Sequence, residues 1–395
     1  MAKQKVLIVG GGIGGLTLSL CLAKLGITSA VFERRSNFRE VGAGIQLSPN
    51  CTRVYDFLGV LDSIRKVAQE PQEIRFQGWK GSRLLSQIEL GPSMESRYGY
   101  PYLNVHRGDL VNLLAELAGA DRGIELYPSC DVESFRLTDD RVQVSAGGKL
   151  HSGSVLVGAD GINSLVRSKL FGEGRATFTG NVAWRALVPL SSLKRNVEID
   201  VSRVWWGPGR HFVSYAVQSG KSLNCVAVAE HKSWEKESWN ELGSLDELQK
   251  EFLGWDSGVQ EIIHAIAPDR LFKWGLFGRE PLKRWSSGRA VLLGDACHAL
   301  LPFMGQGGAM AIEDAACLAL CLADQDDSVR SIQLYEQLRK PRTRKVLAMS
   351  ARNAHIFHFS GLAAAARNLA LKFFDPKIDE FLYGYNVFEV KKLLE

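Results

Sequence analysis

A glycine-rich run near the start of the chain has the residue types and spacing that bind a dinucleotide pyrophosphate. The run GGGIGG at positions 10–15 satisfies G-x-G-x-x-G, follows the apolar segment Lys5–Val9 and precedes an apolar helical pattern. The first glycine of this pattern makes a tight turn, the second lets the backbone approach the pyrophosphate, and the third lets helix and strand pack closely. The helix start adds partial positive charge and N–H donors. We predict that Gly10, Gly12, Gly14 and Gly15 bind a dinucleotide.

A carboxylate stands where the ribose of such a ligand needs one. Glu33 ends the next apolar segment, about 20 residues beyond the glycines, the position from which an acid bonds ribose hydroxyls. Glu33 and the following Arg34 are therefore predicted to bind the cofactor. A purely structural glycine turn would leave Glu33 unexplained, but the pattern by itself does not separate FAD from NAD.

A second stretch, GDACHALLPFMGQGGAMAIEDA at positions 294–315, combines an acid on a glycine turn with further glycines before a helical pattern. Asp295 is placed to bond the ribityl hydroxyls of a flavin. The helix opened by Gly305, Gly307 and Gly308 can stabilise negative charge on a reduced flavin ring through its N-terminal dipole. Since no second G-x-G-x-x-G follows a strand, we expect this stretch to hold the far end of the same ligand, for which FAD is long enough.

The elements that must position these residues indicate an α/β fold. Helical patterns cover Arg107 to Leu117 and Cys51 to Lys66, and the chain is largely helical beyond Asp327. Positions 71–102 are β-rich with turn signals that include Gly91-Pro92, and positions 175–272 are rich in Trp, Tyr, Phe and Val, which favours sheet strands. We predict a Rossmann-like FAD-binding domain interrupted by a mixed-sheet substrate domain and followed by C-terminal helices.

The predicted boundaries follow from these shifts of pattern. The FAD-binding domain is discontinuous and takes residues 1–71, 106–174 and 275–325. The substrate-binding sheet domain takes residues 72–105 and 175–274, and residues 326–395 form a C-terminal helical segment.

One strand of the sheet domain carries side chains suited to a substrate. In RHFVSYAV at positions 210–217 the two-residue period puts His211, Val213 and Tyr215 on one face. The Cα atoms of His211 and Tyr215 are then roughly 13 Å apart, at about 3.3 Å per residue, a separation that can bracket a small aromatic ring. The alternative is that His211 is a hydrogen-bonded core histidine without a catalytic role.

Taken together, the motifs resemble those of the single-component (group A) FAD-dependent aromatic hydroxylases of the salicylate hydroxylase and 3-hydroxybenzoate 6-hydroxylase type. GGGIGG with Glu33, GADG at 158–161 and GDACHALLPFMGQG at 294–307 occur in the order and at the separations of that family's three fingerprints. The likeness extends to VGAGIQLSPN at 41–50, WRALVP at 184–189 and GPGRHFVSYAV at 207–217. It covers nearly the whole chain.

The resemblance implies a flavoprotein monooxygenase that uses NADH or NADPH and O2 through a flavin C4a-hydroperoxide. It implies that Arg107 contacts the FAD diphosphate, that Asp160 supports FAD and transient NAD(P)H binding, and that Gly44, Pro302 and the later glycines contact the cofactor. His211, with Tyr215, is expected to take up the proton of a phenolic substrate. Salicylate or 3-hydroxybenzoate is the expected substrate. The alternatives are 6-hydroxynicotinate or another N-heteroaromatic, or a flavin-binding NAD(P)H oxidase or redox sensor without hydroxylase activity.

Other chemistries are less well supported. Adjacent Cys297 and His298 project in different directions and lack an assignable orienting acid, so His298 is predicted to be structural. His355 and His358 are spaced i, i+3 but have no evident third ligand, so no metal site is predicted. Glu313-Asp314 is expected to serve the helix dipole and packing.

The composition of the chain argues against a nucleic-acid-binding, a disulfide-bonded or a membrane-spanning protein. The net charge of +5 is scattered and lacks the basic stripes of nucleic-acid binders. Seven cysteines without a C-x-x-C pair indicate reduced thiols in a cytoplasmic protein. No apolar run reaches the length of a membrane span. The aromatic segment FLYGYNVF at 381–388 is expected to pack either within the chain or, as the favoured alternative, at a homodimer interface.

Overall fold

The computed structural model describes residues 4–36, 43–172, 174, 176–194, 196–234, 241–325, 327–371 and 377–393. Positions 41 and 42 of the motif VGAGIQLSPN lie outside the described residues. The strands are β1 (Lys5–Val9), β2 (Thr28–Phe32), β3 (Gly44–Leu47), β4 (Ala68–Gln69), β5 (Glu73–Gly78), β6 (Leu84–Glu89), β7 (Leu103–His106), β8 (Ile124–Tyr127), β9 (Val132–Leu137), β10 (Val142–Ala146), β11 (Lys149–Gly153), β12 (Val155–Gly158), β13 (Ala176–Pro189), β14 (Val201–Gly207), β15 (Arg210–Val217), β16 (Ser222–Glu230), β17 (Glu241–Leu242), β18 (Phe272–Arg279), β19 (Ser286–Ser287) and β20 (Ala290–Leu292).

The helices are α1 (Ile13–Lys24), α2 (Pro49–Leu58), α3 (Leu61–Val67), α4 (Gly91–Tyr98), α5 (Arg107–Ala120), α6 (Leu165–Phe171), α7 (Leu245–Glu251), α8 (Ser257–His264), α9 (Asp295–His298), α10 (Gly307–Asp324), α11 (Ser328–Phe357), α12 (Gly361–Ala370) and α13 (Lys377–Tyr383). Short 3-10 helices cover Leu190–Ser192, Pro268–Arg270, Pro302–Met304 and Val387–Leu393.

A six-stranded sheet carries the predicted dinucleotide motif. Its order is β19-β20-β12-β1-β2-β8, and β1 pairs in parallel with both β2 and β12. The central strand β1 is an almost continuous apolar run because both faces of the sheet are covered, one by helix α1 and the other by the three-stranded β9–β11 sheet. Helices α1 and α10 pack closely together. This arrangement brings the starts of both helices to the carboxyl ends of the parallel strands, where such sheets bind ligands.

A second, eight-stranded sheet has the order β17-β18-β13-β16-β15-β14-β5-β6. Its strands come from two distant parts of the chain, and β14 joins them by pairing in parallel with β5. One face buries Phe212 and Trp205 against the helix residues Phe252 and Val259. The side chains of His211 and Tyr215 lie on the opposite face of β15. The domain boundaries given above stay a prediction.

Two local predictions were wrong. The expected single helix over 51–66 is divided into α2 and α3, because Gly59 adopts a left-handed conformation (φ 76°) that ends α2. Gly91-Pro92 was interpreted as a turn, but it begins α4. Proline is favoured in the first helical turn, where its missing N–H costs no hydrogen bond.

The aromatic C-terminal segment packs against its own chain. The ring of Tyr383 makes edge contacts with Tyr98 and Tyr102, and the Arg342 guanidinium lies 3.8 Å from the ring centroid of Tyr385. These contacts within the chain account for the aromatic residues of the segment, and no partner subunit is needed to explain them. A homodimer stays a prediction. Among the described helices, none has both the length and the hydropathy that crossing a membrane requires.

Candidate active site

A cavity of about 300 Å³ lies where the two sheets meet and is lined by residues of both. On one side are the loops after β1 and β20 and the start of α10, and on the other is the face of β15. Most of the predicted site residues line it: Gly12, Gly14, Gly44, Arg107, His211, Tyr215, Asp295, Pro302, Gly305, Gly307 and Gly308.

Gly10 and Gly15 lie behind the cavity and shape its loop. Gly10 has φ 107°, which side-chain-bearing residues rarely adopt. A Cβ on Gly15 would stand 2.0 Å from the Gly10 carbonyl oxygen. Both glycines therefore serve the turn and the close packing of α1 on β1.

The remaining predicted residues, Glu33, Arg34 and Asp160, do not line the cavity. The Glu33 carboxylate accepts hydrogen bonds from the backbone N–H of Gly11 (2.9 Å) and of Arg35 (3.0 Å), which orients it beside the glycine loop. Arg34 is exposed. Asp160 accepts from the Val166 N–H (3.2 Å), and burial raises its pKa. Its neighbours in sequence, Ala159 and Gly161, line the cavity.

The loops fit a flavin dinucleotide. A Cβ built on Gly12 would meet no protein atom within 4 Å, so the space beside this glycine is open towards the cavity. Gly12 is the N-cap of α1, and no side chain caps that helix; its first N–H groups are available to a phosphate. The 18-residue helix α10 begins at Gly307 on the same cavity and directs its positive end there.

Replacing Gly12 with alanine is expected to weaken FAD binding without weakening the fold. The added methyl group clashes with no protein atom, but it occupies the space that the pyrophosphate needs. We expect the FAD dissociation constant to rise at least about tenfold, equivalent to about 1.4 kcal/mol. Flavin fluorescence titration of the apoprotein measures it. Gly119→Ala, an exposed helical position whose added Cβ comes no closer than 3.7 Å to its nearest neighbour, is the control. Equal FAD affinity of both variants would contradict the assignment.

Strand β15 forms the opposite wall of the cavity. His211, Val213 and Tyr215 line the cavity, whereas Phe212 is buried on the other side of the sheet. The alternation predicted for this strand is therefore present. Gly44 lies against Tyr215, because a Cβ there would stand 2.5 Å from the tyrosine ring. The two walls thus touch, and the cavity between them is small.

Arg185 adds a positive charge to this wall. Its guanidinium lies 4.6 Å from the ring centroid of Trp274, and both residues line the cavity. Burial raises the pKa of Tyr215, and the charge of Arg185 opposes that rise. Arg210, the first residue of β15, is bonded to the Glu251 carboxylate at 2.6 Å and does not line this cavity. Of these two arginines, Arg185 is the one that lines the cavity.

His211 has partners that sequence reasoning missed. Its Nδ1 lies 2.8 Å from Nε2 of His358, and Nδ1 of His358 lies 3.0 Å from a carboxylate oxygen of Glu230. The pKa of His211 lies well below its ordinary value because of burial and the neighbouring His358. His211 is therefore neutral near pH 7, with one ring nitrogen unprotonated. The sequence signal for this partner is the i, i+3 pair of His355 and His358, whose spacing by itself suggests only metal ligands.

Beneath α10 lies a buried ionic cluster that the sequence did not predict. Arg339 bonds Glu313 at 2.7 Å and Asp314 at 2.6 Å, and all three side chains are fully buried. Arg342 bonds Glu313 at 2.7 Å, and Asn50 donates to the same carboxylate at 2.6 Å. The Glu313-Asp314 pair therefore connects α10 to α2 and α11 and holds the helix start against the cavity.

His298 belongs to this cluster, and its orienting acid is Asp314. The His298 Nε2 and Asp314 oxygen are 2.5 Å apart. Burial alone would raise the pKa of Asp314, but His298 and Arg339 lower it to about 2. Burial raises the pKa of Cys297 to about 11, which keeps it a thiol. Although Cys297, His298 and Asp314 offer ligand atoms within 4.8 Å of one another, Asp314 already serves Arg339 and the Gly294 N–H. We interpret the group as structural.

Comparison with known proteins shows the family of the chain. The family described as an FAD binding domain matches residues 3–350. The 3-hydroxybenzoate 6-hydroxylase 1 of Aquipseudomonas alcaligenes is 33% identical over 92% of this chain and 92% of its own length. The 6-hydroxynicotinate 3-monooxygenase of Bordetella bronchiseptica is 34% identical over 89% of this chain and 91% of its own length.

A solved salicylate hydroxylase substrate complex superimposes with a TM-score of 0.83 at 22% identity, covering 100% of this chain and 98% of the other. This likeness confirms the predicted α/β fold class. The family match and the two relatives confirm the resemblance found from the motifs and the expected cofactor. The chain belongs to the family of single-component, FAD-dependent aromatic hydroxylases, flavoprotein monooxygenases with an FAD binding domain.

Proposed function

We propose that this monooxygenase hydroxylates a small phenolic aromatic acid of the hydroxybenzoate type, using NAD(P)H and O2. The observation that carries the proposal is the joint lining of one cavity by His211 and by the glycine loops of the FAD site. A proton acceptor for a phenol thus faces the place where the flavin ring is expected.

The other walls suit such a substrate. Arg185 supplies a cation for the carboxylate, and its guanidinium stacks on Trp274, which limits its movement. Val213 and Val226 provide apolar surface for the ring. An aromatic acid that carries a ring hydroxyl group offers its carboxylate to Arg185 and its hydroxyl group to His211.

FAD, when bound, would carry electrons from NAD(P)H to O2 and so activate O2, one atom of which enters the ring. The chain's own residues hold the substrate and manage its proton. A phenol with a pKa near 10 needs about 4 kcal/mol to ionise at pH 7, and its ionised form is the better nucleophile. A neutral His211 acts as the general base that receives this proton and hands it on.

A hydroxylated N-heteroaromatic acid is the second candidate substrate. The two relatives act on a hydroxybenzoate and on a hydroxynicotinate by name, and their identities to this chain differ by one percentage point. Both compounds combine a carboxylate with an ionisable ring hydroxyl. Arg185 and His211 serve either, so the proposal names the class and favours the hydroxybenzoate on the apolar wall.

The test is the anaerobic rate of flavin reduction by NADH or NADPH with and without a panel of hydroxybenzoates and hydroxynicotinates, followed by product analysis in air. Strong acceleration by one compound and its conversion to a hydroxylated product would support the proposal. Fast reduction without any aromatic compound, with peroxide as the sole product, would instead support an NAD(P)H oxidase or redox sensor.

Replacing Arg185 with methionine is expected to raise KM for the aromatic acid about 30-fold or more, because a charged hydrogen bond contributes on the order of 2 kcal/mol. The KM of the corresponding carboxamide should change little. Arg210→Met is the matched control, since Arg210 is bonded to Glu251 away from the cavity. An unchanged KM for the acid in Arg185→Met would show that the carboxylate binds elsewhere.

A further inference from the structure

Three titratable side chains form a continuous path from the cavity to solvent. His211 lines the cavity and is 3% exposed. The His358 side chain behind it is 2% exposed, and the Glu230 side chain at the far end is 58% exposed. The two steps of the path, 2.8 Å and 3.0 Å, are both hydrogen-bond distances.

The backbone holds this path in place. The Gly209 N–H donates to the His358 carbonyl oxygen at 3.1 Å, and the Glu230 N–H donates to the Gly209 carbonyl oxygen at 2.9 Å. The end of α11 is thereby fastened to the β15–β16 sheet beside the three side chains. Packing of the His211 ring against Phe303 and Phe357 also limits its rotation.

The carboxylate at the outer end determines which nitrogens carry hydrogen. An ionised Glu230 only accepts, so Nδ1 of His358 must carry the hydrogen that it donates. In neutral His358 the Nε2 is then an acceptor, and Nδ1 of His211 must donate to it. His211 is left with an unprotonated Nε2, the ring nitrogen that is free of His358 and remains for a ligand in the cavity.

We propose that Glu230 and His358 are positioning residues that orient the tautomer of His211 and conduct the substrate's proton from the cavity to solvent. This inference rests on the proposed function, since it needs a substrate that loses a hydroxyl proton. His358 and Glu230 touch neither substrate nor cofactor and act through His211.

The proton steps balance without another reactant. The substrate O–H bond breaks and its proton goes to Nε2 of His211, while Nδ1 of His211 passes its proton to Nε2 of His358. Nδ1 of His358 then passes its proton to Glu230, which releases it to water. The sum is a bound phenolate and one proton in solvent, with both histidines neutral. The reverse sequence returns a proton to the hydroxylated product and restores the starting tautomers.

The electrostatic surroundings explain why a path is needed. Burial and His358 lower the pKa of His211. The ring therefore does not stay doubly protonated: when it takes the substrate's proton on one nitrogen, it must release the proton on the other. Around His358 stand Glu230, Arg210 and His355, and Arg367 donates to the Phe357 carbonyl at 3.2 Å. Burial lowers the pKa of His358, and Glu230 opposes that effect. Within the hydrogen-bonded path itself, the exposed Glu230 carboxylate is the member placed to exchange protons with water.

The first experiment measures proton release when a phenolic acid binds to the oxidised FAD enzyme, with no NAD(P)H present. Stopped-flow absorbance follows the phenolate band and a pH indicator together. His358→Gln keeps an acceptor for Nδ1 of His211 but cannot pass a proton on, so we expect proton release to slow by at least about tenfold. His355→Gln, the exposed histidine one turn earlier on α11, should release protons at the wild-type rate.

The second experiment reads the tautomers directly, without substrate. In protein labelled with 15N-histidine, His211 and His358 should both be neutral with the hydrogen on Nδ1 near pH 7. A hydrogen on Nε2 of His211, or equal proton release by wild type and His358→Gln, would overturn the relay while leaving hydroxylation intact. Failure of wild type to hydroxylate any phenolic or hydroxynicotinic acid would overturn the proposed function, and the relay with it.

Discussion

Replacement of His211 with asparagine is expected to lower the rate of coupled hydroxylation about 10²- to 10³-fold while FAD stays bound and is still reduced. General bases contribute on the order of 10²- to 10⁴-fold, and His211 is the histidine that lines the cavity. Asparagine retains the size and polarity of the site but cannot accept a proton at neutral pH. Product formed per NAD(P)H consumed measures the effect.

The direction in which pH changes the hydroxylation rate follows from the pKa of His211. The pKa of His211 lies well below its ordinary value, so the wild-type ring is unprotonated and competent above that depressed pKa. Activity should therefore be lost only when the pH falls well below about 6.5, the usual histidine value. In His211→Asn the rate should instead climb as the pH approaches the phenol pKa of about 10.

A more acidic substrate provides the control. A phenolic acid that carries several fluorine atoms is already ionised near neutral pH and should restore much of the rate in His211→Asn. Wild-type coupling and an unaltered pH profile in the variant would show that His211 is a structural histidine, the alternative that its burial alone would also permit.

The second large effect concerns stability. Arg339→Gln is expected to lower the free energy of unfolding by about 3–5 kcal/mol, the usual cost of removing one partner of a buried ion pair. Arg339 is fully buried and bonds both Glu313 and Asp314. Glutamine cannot neutralise these carboxylates, which then stay buried with too little positive charge around them.

Substitution of an exposed arginine on the same helix tests whether the loss of stability comes from the burial of the ion pair. Arg330 pairs with Asp327 at 3.6 Å, but the two side chains are 79% and 51% exposed. Arg330→Gln should cost less than about 1 kcal/mol, as exposed ion pairs usually do. Urea unfolding of the FAD-saturated variants, followed by circular dichroism, measures both. Similar losses in the two variants would refute the buried-cluster argument.

Much of the site could be predicted from sequence because it depends on local rules. The GGGIGG run follows an apolar strand, and the structure places Gly12 at the helix start on the cavity. The two-residue period of a strand likewise assigned His211 and Tyr215 to one face. Even the errors were local: Gly59 ends a helix in the left-handed conformation, and Pro92 stands where a helix begins.

The sequence by itself therefore determined the cofactor loops, the fold class and the face that carries His211, since backbone geometry relates neighbours along the chain to one another. Only the tertiary structure decided the partners of these residues. His211 and His358 are 147 positions apart, and Asp314 and Arg339 are 25 apart on different helices. No periodicity relates such pairs; they meet because α11 packs against both the β15 sheet and α10. Burial there turns ordinary polar residues into a charge cluster and a proton path.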